Sequence, residues 1–178
     1  MTKPQLVTIE RQKVGLCDLY GFILKESKNL LMIRQVSNLR LDGILIINKK
    51  EISDYYTNLS NEYQTQMLKE FGIYQTIDFK VDYDIKNWKQ FFKSSIKEVS
   101  YFDIDENAFG IYLYYLGKLV KIKKHSILLH QFSGAGNWDK KPTKIYYDHI
   151  STCGIGTTYL QTYVDYFKLT HNELKIDK

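Results

Sequence analysis

A weak internal repeat constrains this chain more than any other feature. At an offset of 96 residues, Gly21 falls on Gly117, and Leu31, Ile33, Gln35 and Ser37 fall on Ile127, Leu129, Gln131 and Ser133. Past one-residue gaps, Asp42 falls on Asp139, and Ile47, Ile52 and Ser53 fall on Ile145, Ile150 and Ser151. Identities are few, but the order of features is shared. Each copy runs glycine, apolar strand ending Gln-x-Ser, polar turn with Asp, second apolar strand, Ile-Ser. A duplicated unit has only about half of the 178 residues to bury a core, so each copy must be a small domain.

Both copies read as strands. Residues 20–26 (YGFILKE) and 116–123 (LGKLVKIK) each carry the glycine inside the strand. Glycine there marks a bend or a close approach of another backbone. By period-2 alternation Leu31, Ile33 and Gln35 share one face, as do Ile127, Leu129 and Gln131. The Gln35 and Gln131 amides are expected to hydrogen-bond backbone at the end of that apolar column. Short strands joined by tight connections favour closure into a barrel, which removes exposed edges.

Each unit ends in a predicted helix. Tyr56, Leu59, Tyr63, Met67 and Phe71 recur at spacings suited to one helix face, with Gly72 as the stop. Thr157 or Thr158 caps the second, whose apolar face is Tyr159, Leu160, Tyr163, Val164 and Phe167. A further helix, capped by Asp84, places Ile85, Trp88, Phe92, Ile96 and Val99 on one side. The expected fold is therefore mainly β with α (α+β). Two small barrels each precede a helix, over residues 1–75 and 85–178, with an extended connector at 76–84.

Charge and composition narrow the function classes without choosing one. The net charge is +5, with 15 tyrosines among an aromatic fraction of 15%. Such a balance attracts polyanions weakly. No run of apolar residues is long enough for a membrane-spanning helix. The N-terminus has no basic-then-apolar signal pattern, so a cytoplasmic chain is expected. Cys17 and Cys153 sit in no CxxC pair, and His125, His130, His149 and His171 form no HExxH. Neither metal nor cofactor is expected.

The run Ile145-Tyr146-Tyr147-Asp148-His149-Ile150-Ser151-Thr152 resembles the second signature of bacterial Sm-like proteins. The stretch from Gly117 to Phe132 is similar to the first signature, a bent strand with glycine followed by an apolar strand. The first copy resembles the pattern more weakly. As a whole the chain is similar to uncharacterised bacterial proteins with paired barrels, which carry no assigned activity. The resemblance implies small five-stranded Sm-like or SH3-like barrels. Its RNA-pocket residues do not carry over. The region 118–126 (KLVKIKKHS) lacks the Asp and Asn of the first signature, and Asp148 stands where the second has lysine. His149 is the one matching functional position.

Enzyme patterns are absent. No GxSxG occurs, and Ser151 and His149 share a strand face with no acid in a motif beside them. Gly154-Ile155-Gly156 reads as a strand-to-helix turn. Asp103, Asp105 and Glu106 read as a solvated turn. The segment 133–139 reads as a hairpin loop with Trp138 tucked over the barrel mouth. What remains is a basic, aromatic stretch at 109–124, where Tyr112 and Tyr114 accompany Lys118, Lys121, Lys123 and Lys124. Basic side chains interleaved with aromatics suit single-stranded nucleic acid. Together with Trp138 and His149, these are the candidate binding residues. The expected function is a non-enzymatic module for an unknown protein partner, with its barrels pairing within a monomeric chain. The alternatives are an Sm-like single-stranded RNA binder and a toxin-neutralising immunity-type protein.

Overall fold

The structure is a computed structural model that describes residues 4–11, 17–108 and 110–174. The chain divides into two units, residues 1–86 and 87–178. The first contains strands β1 (Leu6–Glu10), β2 (Leu19–Glu26), β3 (Leu30–Ser37), β4 (Arg40–Asn48) and β5 (Asp54–Tyr56), then helix α1 (Leu59–Glu70). The second opens with helix α2 (Trp88–Ser95). It continues through β6 (Tyr101–Ala108), β7 (Ile111–Ile122), β8 (Ser126–Phe132), β9 (Thr143–Tyr146) and β10 (Ile150–Ile155) to helix α3 (Thr158–Thr170). The fold is mainly β, of the α+β class.

The two units share one topology. Strands of the first lie in the order β5-β1-β2-β3-β4, and those of the second in the order β10-β6-β7-β8-β9. Every ladder within a unit is antiparallel, and in each the fifth strand returns to pair with the first. Among the described residues no ladder joins β4 to β5 or β9 to β10, so pairing within a unit leaves its sheet open.

The repeat extends to register. Gly21 opposes Gln35 and Gly117 opposes Gln131. Both ladders then slip at the same place, between Ile23 and Lys25 and between Leu119 and Lys121. Such a bulge bends its strand. The glycines have a steric reason. A Cβ on Gly21 would lie 2.7 Å from the Arg34 carbonyl oxygen, and one on Gly117 would lie 2.4 Å from that of His130.

One face of the first sheet draws on all five strands. Val7, Ile9, Leu31, Ile33, Leu45 and Ile47 pack together, joined by Leu19, Ile23 and Tyr55. The other face buries Leu6, Phe22 and Val36 under Leu68 of α1 and the turn residues Tyr74 and Ile77. The segment 76–84 is thus more than a connector. Ile77 and Phe79 pack on the first sheet, and Lys25 Nζ donates to Asp82 and to the Tyr83 carbonyl. In the second unit Leu116 and Phe132 lie under Leu160, Val164 and Phe167 of α3. The turn into α3 carries Gly156 at φ 60°, a left-handed position that glycine fills without strain.

The helices correct the expected faces. In α1 the buried residues are Asn61, Thr65 and Leu68, whereas Leu59 is 83% and Tyr63 70% exposed. The polar side chains turn inward because β1 gives them partners. Leu6 N donates to Thr65 Oγ1 at 3.0 Å, and Thr8 Oγ1 donates to Asn61 Oδ1 at 3.1 Å. Helix α2 is capped by Asn87, not Asp84. Asn87 accepts from Gln90 N, while Asp84 accepts from Lys86 N just before the helix. Its buried face is Trp88, Phe91, Phe92 and Ser95, and Ile96 is exposed. Helix α3 follows the expected stripe except at Tyr159, which is exposed.

Candidate functional site

The candidate residues around β7 do not form one patch. Tyr112 and Tyr114 lie near the hairpin tip, and Lys121, Lys123 and Lys124 lie at or beyond the strand's far end. At ~3.3 Å per residue, the nine residues from Tyr114 to Lys123 place the two groups up to about 30 Å apart. Lys118 is half-buried between them, its ammonium 5.7 Å from the Tyr101 ring centroid. Phe109 lies outside the described residues. A base stacked on the tyrosines would therefore be remote from the lysines.

Trp138 is a packing residue. Its ring lies 5.1 Å from that of Phe132 and 5.4 Å from that of Phe167, and its Nε1 donates to the Asn172 carbonyl. It holds α3 to the sheet. Gln131 donates to Asp139 Oδ2 at 2.6 Å rather than to backbone, and so tethers the loop that carries Trp138.

The acidic run corrects the expectation most strongly. Asp103, Asp105 and Glu106 belong to β6, not to a solvated turn, and Asp103 and Glu106 are buried. Each meets a partner from β10 or its flanks. Asp103 accepts from Thr157 Oγ1, and Asp105 accepts from Thr152 Oγ1 at 2.5 Å. Glu106 Oε1 lies 3.1 Å from His149 Nδ1, while its Oε2 accepts from the Tyr115 hydroxyl at 2.9 Å. His149 therefore does have an acid beside it, 43 residues earlier in sequence. No short motif could have revealed that pairing.

The first unit holds a counterpart in which the acid and its nitrogen-bearing partner change places. Leu6 opposes Phe22 and Tyr101 opposes Lys118, which lays Arg11 on Glu106 when the copies are aligned. The aligned Ile-Ser pairs lay Glu51 on His149. Arg11 Nη2 contacts Glu51 Oε2 at 3.2 Å, with the two side chains 5% and 3% exposed. Each unit thus pairs an acid with a nitrogen-bearing side chain beside its first strand, with the two roles exchanged between the units.

Two tyrosines report on this region. Burial, reinforced by the hydrogen bond to Glu106, pushes the Tyr115 hydroxyl up to about 12. Burial pushes Tyr147 up to about 12, with its hydroxyl donating to the Lys123 carbonyl. A folded-state value above the unfolded one means stabilisation that is complete below about pH 10 and lost as pH rises towards 12. Tyr115 and Tyr147 are expected to be among the last tyrosines to titrate in absorbance at 295 nm. Tyr115→Phe should remove one of them and flatten the alkaline loss of stability. Titration of all tyrosines near their ordinary value would contradict the packing around both rings.

Ser151 is fully buried, and burial, with Asp103 and Asp105 nearby, pushes the Cys153 thiol up. Cys17 and Cys153 are free thiols, the first exposed and the second buried. Among the described residues no group of three His, Cys, Asp or Glu side chains is placed to hold a metal ion. No helix is long and apolar enough to cross a membrane among the described residues.

The surface that stands out is the β6–β7 hairpin. Ladder pairs run to Ala108–Ile111 at its tip, but β8 joins β7 only from Leu116 onward. The tip projects past the body of the sheet and carries four consecutive large exposed side chains: Ile111, Tyr112, Leu113 and Tyr114. Ile111 is 62% and Leu113 45% exposed. The sequence holds a sign of this. The run IYLYYL is apolar or aromatic at every position, so neither of its two strand faces is charged. No family model, curated protein or solved structure matches the chain.

Proposed function

We propose that the chain is a non-catalytic binding module for a protein partner, engaged through the β6–β7 hairpin. The exposed run Ile111–Tyr114 carries this reading. Aromatic and branched aliphatic side chains at a projecting tip gain by desolvation against another protein, and tyrosine is enriched at such contacts. Toxin neutralisation is one role of this kind. A tandem of Sm-like or SH3-like barrels is the matching fold reading. It is supported by the repeated strand order, the bulged second strands and the five-strand core of the first unit.

Single-stranded RNA binding is the second reading, favoured by the exposed Lys121, Lys123 and Lys124. The two readings predict different losses. The double variant Ile111→Asp/Leu113→Asp replaces exposed residues only, so its circular dichroism should match wild type. It should lose the protein that the wild-type chain retains from extracts of its host. Lys121→Glu/Lys123→Glu/Lys124→Glu should leave that retention intact. If the lysine variant alone loses a submicromolar, salt-sensitive affinity for single-stranded RNA, and no protein is retained, the hairpin reading is wrong. A sedimentation mass near 21.1 kDa is expected for the free chain.

A further inference from the structure

The first unit contains a cavity that the hairpin reading does not use. Its volume is about 400 Å³, within the size range of small-ligand pockets. Register explains its shape. Thr8 on β1 opposes Tyr56 on β5 and Tyr20 on β2, so the three side chains form one row across three strands. Thr8 is short and buried, whereas the two flanking tyrosines are partly exposed. The result is a cleft with an aromatic ring on each side and a hydroxyl at its floor. The Tyr56 hydroxyl donates to Glu10 Oε1 at 3.0 Å, which fixes one wall in place.

The floor holds an unused donor. Asn61 is 2% exposed and lines the cavity. Its Oδ1 accepts from Thr8 Oγ1 and from Asn58 N, each at 3.1 Å. The backbone donor settles which end of the amide is oxygen. Among the described residues nothing accepts from its Nδ2. Asn61 lines the cavity, so this nitrogen is available to a ligand there. Asn38, Asn58 and Gln64 add further amides and Asp18 a carboxylate, and among the described residues no lysine, arginine or histidine lines the cavity. The remaining wall is the β3–β4 turn, where Asn38 and Leu39 stand at φ 49° and 58°. A leucine in the left-handed region is strained, and such strain collects at ligand sites.

We propose that this cavity binds a neutral saccharide. A sugar ring offers an apolar C–H face to a tyrosine and hydroxyls that both donate and accept. The lining supplies the complements: aromatic faces, amides that donate and accept, one carboxylate acceptor and the hydroxyls of Thr8 and Ser60. Among the described residues the lining offers an anionic ligand a carboxylate, Asp18, and no cation, which disfavours phosphate, nucleotides and acidic sugars as occupants.

The test uses the full chain on an array of immobilised neutral, sialylated and sulfated glycans. Retention should be confined to neutral glycans. Tyr20→Ala and Tyr56→Ala should each lower it at least tenfold with circular dichroism unchanged, and the control Tyr63→Ala on the exposed face of α1 should leave it unaltered. Asn61→Asp removes the free donor and should also abolish retention. No retention on any glycan, retention of acidic glycans only, or retention that survives both tyrosine variants would overturn the proposal. So would binding of adenosine or uridine at the cavity, detected by saturation-transfer NMR, in the absence of any glycan signal. Ile111→Asp/Leu113→Asp should keep glycan retention, which separates this site from the hairpin.

Discussion

Replacing Glu51 with leucine should destabilise the first unit by about 3–5 kcal/mol, the usual cost of stranding one member of a buried ion pair. The Arg11 guanidinium contacts this carboxylate at 3.2 Å, and both side chains are almost fully removed from water. Arginine cannot shed its charge to escape, so the variant keeps a buried cation without its carboxylate. The double variant Arg11→Met/Glu51→Leu should recover most of the loss, because two apolar groups need no solvation. Denaturant unfolding followed by far-ultraviolet circular dichroism measures both. A loss below about 1 kcal/mol in the single variant would mean that water reaches the pair, since exposed pairs contribute no more than that. Both tryptophans, Trp88 and Trp138, belong to the second unit. Their fluorescence should report the second unit and so change less than the dichroism.

Phe102→Ala should cost about 3–5 kcal/mol in that second unit, the range for truncating a fully buried aromatic residue. Phe102 projects from β6 into the rings of α2, with its centroid 6.3 Å from Phe91 and 5.4 Å from Phe92, both near edge-to-face. Phe92 stacks in turn on Trp88 and Tyr147. Removing the central ring leaves a cavity and breaks two favourable aromatic contacts. Because Trp88 belongs to the same cluster, the loss should appear in the tryptophan fluorescence transition as well as in the dichroism. An unchanged fluorescence midpoint would mean that α2 is not held through Phe102.

Several elements of this fold were legible in the residues. Period-2 alternation over 30–37 and 126–132 placed Leu31, Ile33, Ile127 and Leu129 in the core, where all four are fully buried. The glycines at 21 and 117 announced a close backbone approach, and Cβ atoms there would indeed strike a neighbouring carbonyl. Stripe reading succeeded for α3 because the apolar side of that helix is also the side that faces the sheet. It failed for α1 because Asn61 and Thr65 satisfy donors on β1, and those hydrogen bonds outweigh the apolar stripe in choosing the face. Exposed Leu59 and Tyr63 are the consequence.

The candidate sites divide in the same way. The tyrosines and lysines of 112–124 look adjacent in sequence, yet an extended strand spreads them along its length. The Glu106–His149 contact, the Tyr20–Thr8–Tyr56 cleft and the Arg11–Glu51 clasp each join residues on, or directly flanking, different strands. Their partners are chosen by ladder register, which couples positions 12 to 48 residues apart.

By itself, then, the sequence determined the repeated order of features, the α+β class and most of the strand core, because these rest on local alternation and on glycine. Which carboxylates are buried, which helix face is left to solvent and which side chains enclose a cavity were decided only by the tertiary structure. The reason is physical. A local pattern says which side of a strand or helix is apolar, whereas the partner of a polar group is set by register with a strand distant in sequence. In this chain those long-range polar partnerships placed the Glu106–His149 and Arg11–Glu51 pairs and the floor of the cavity.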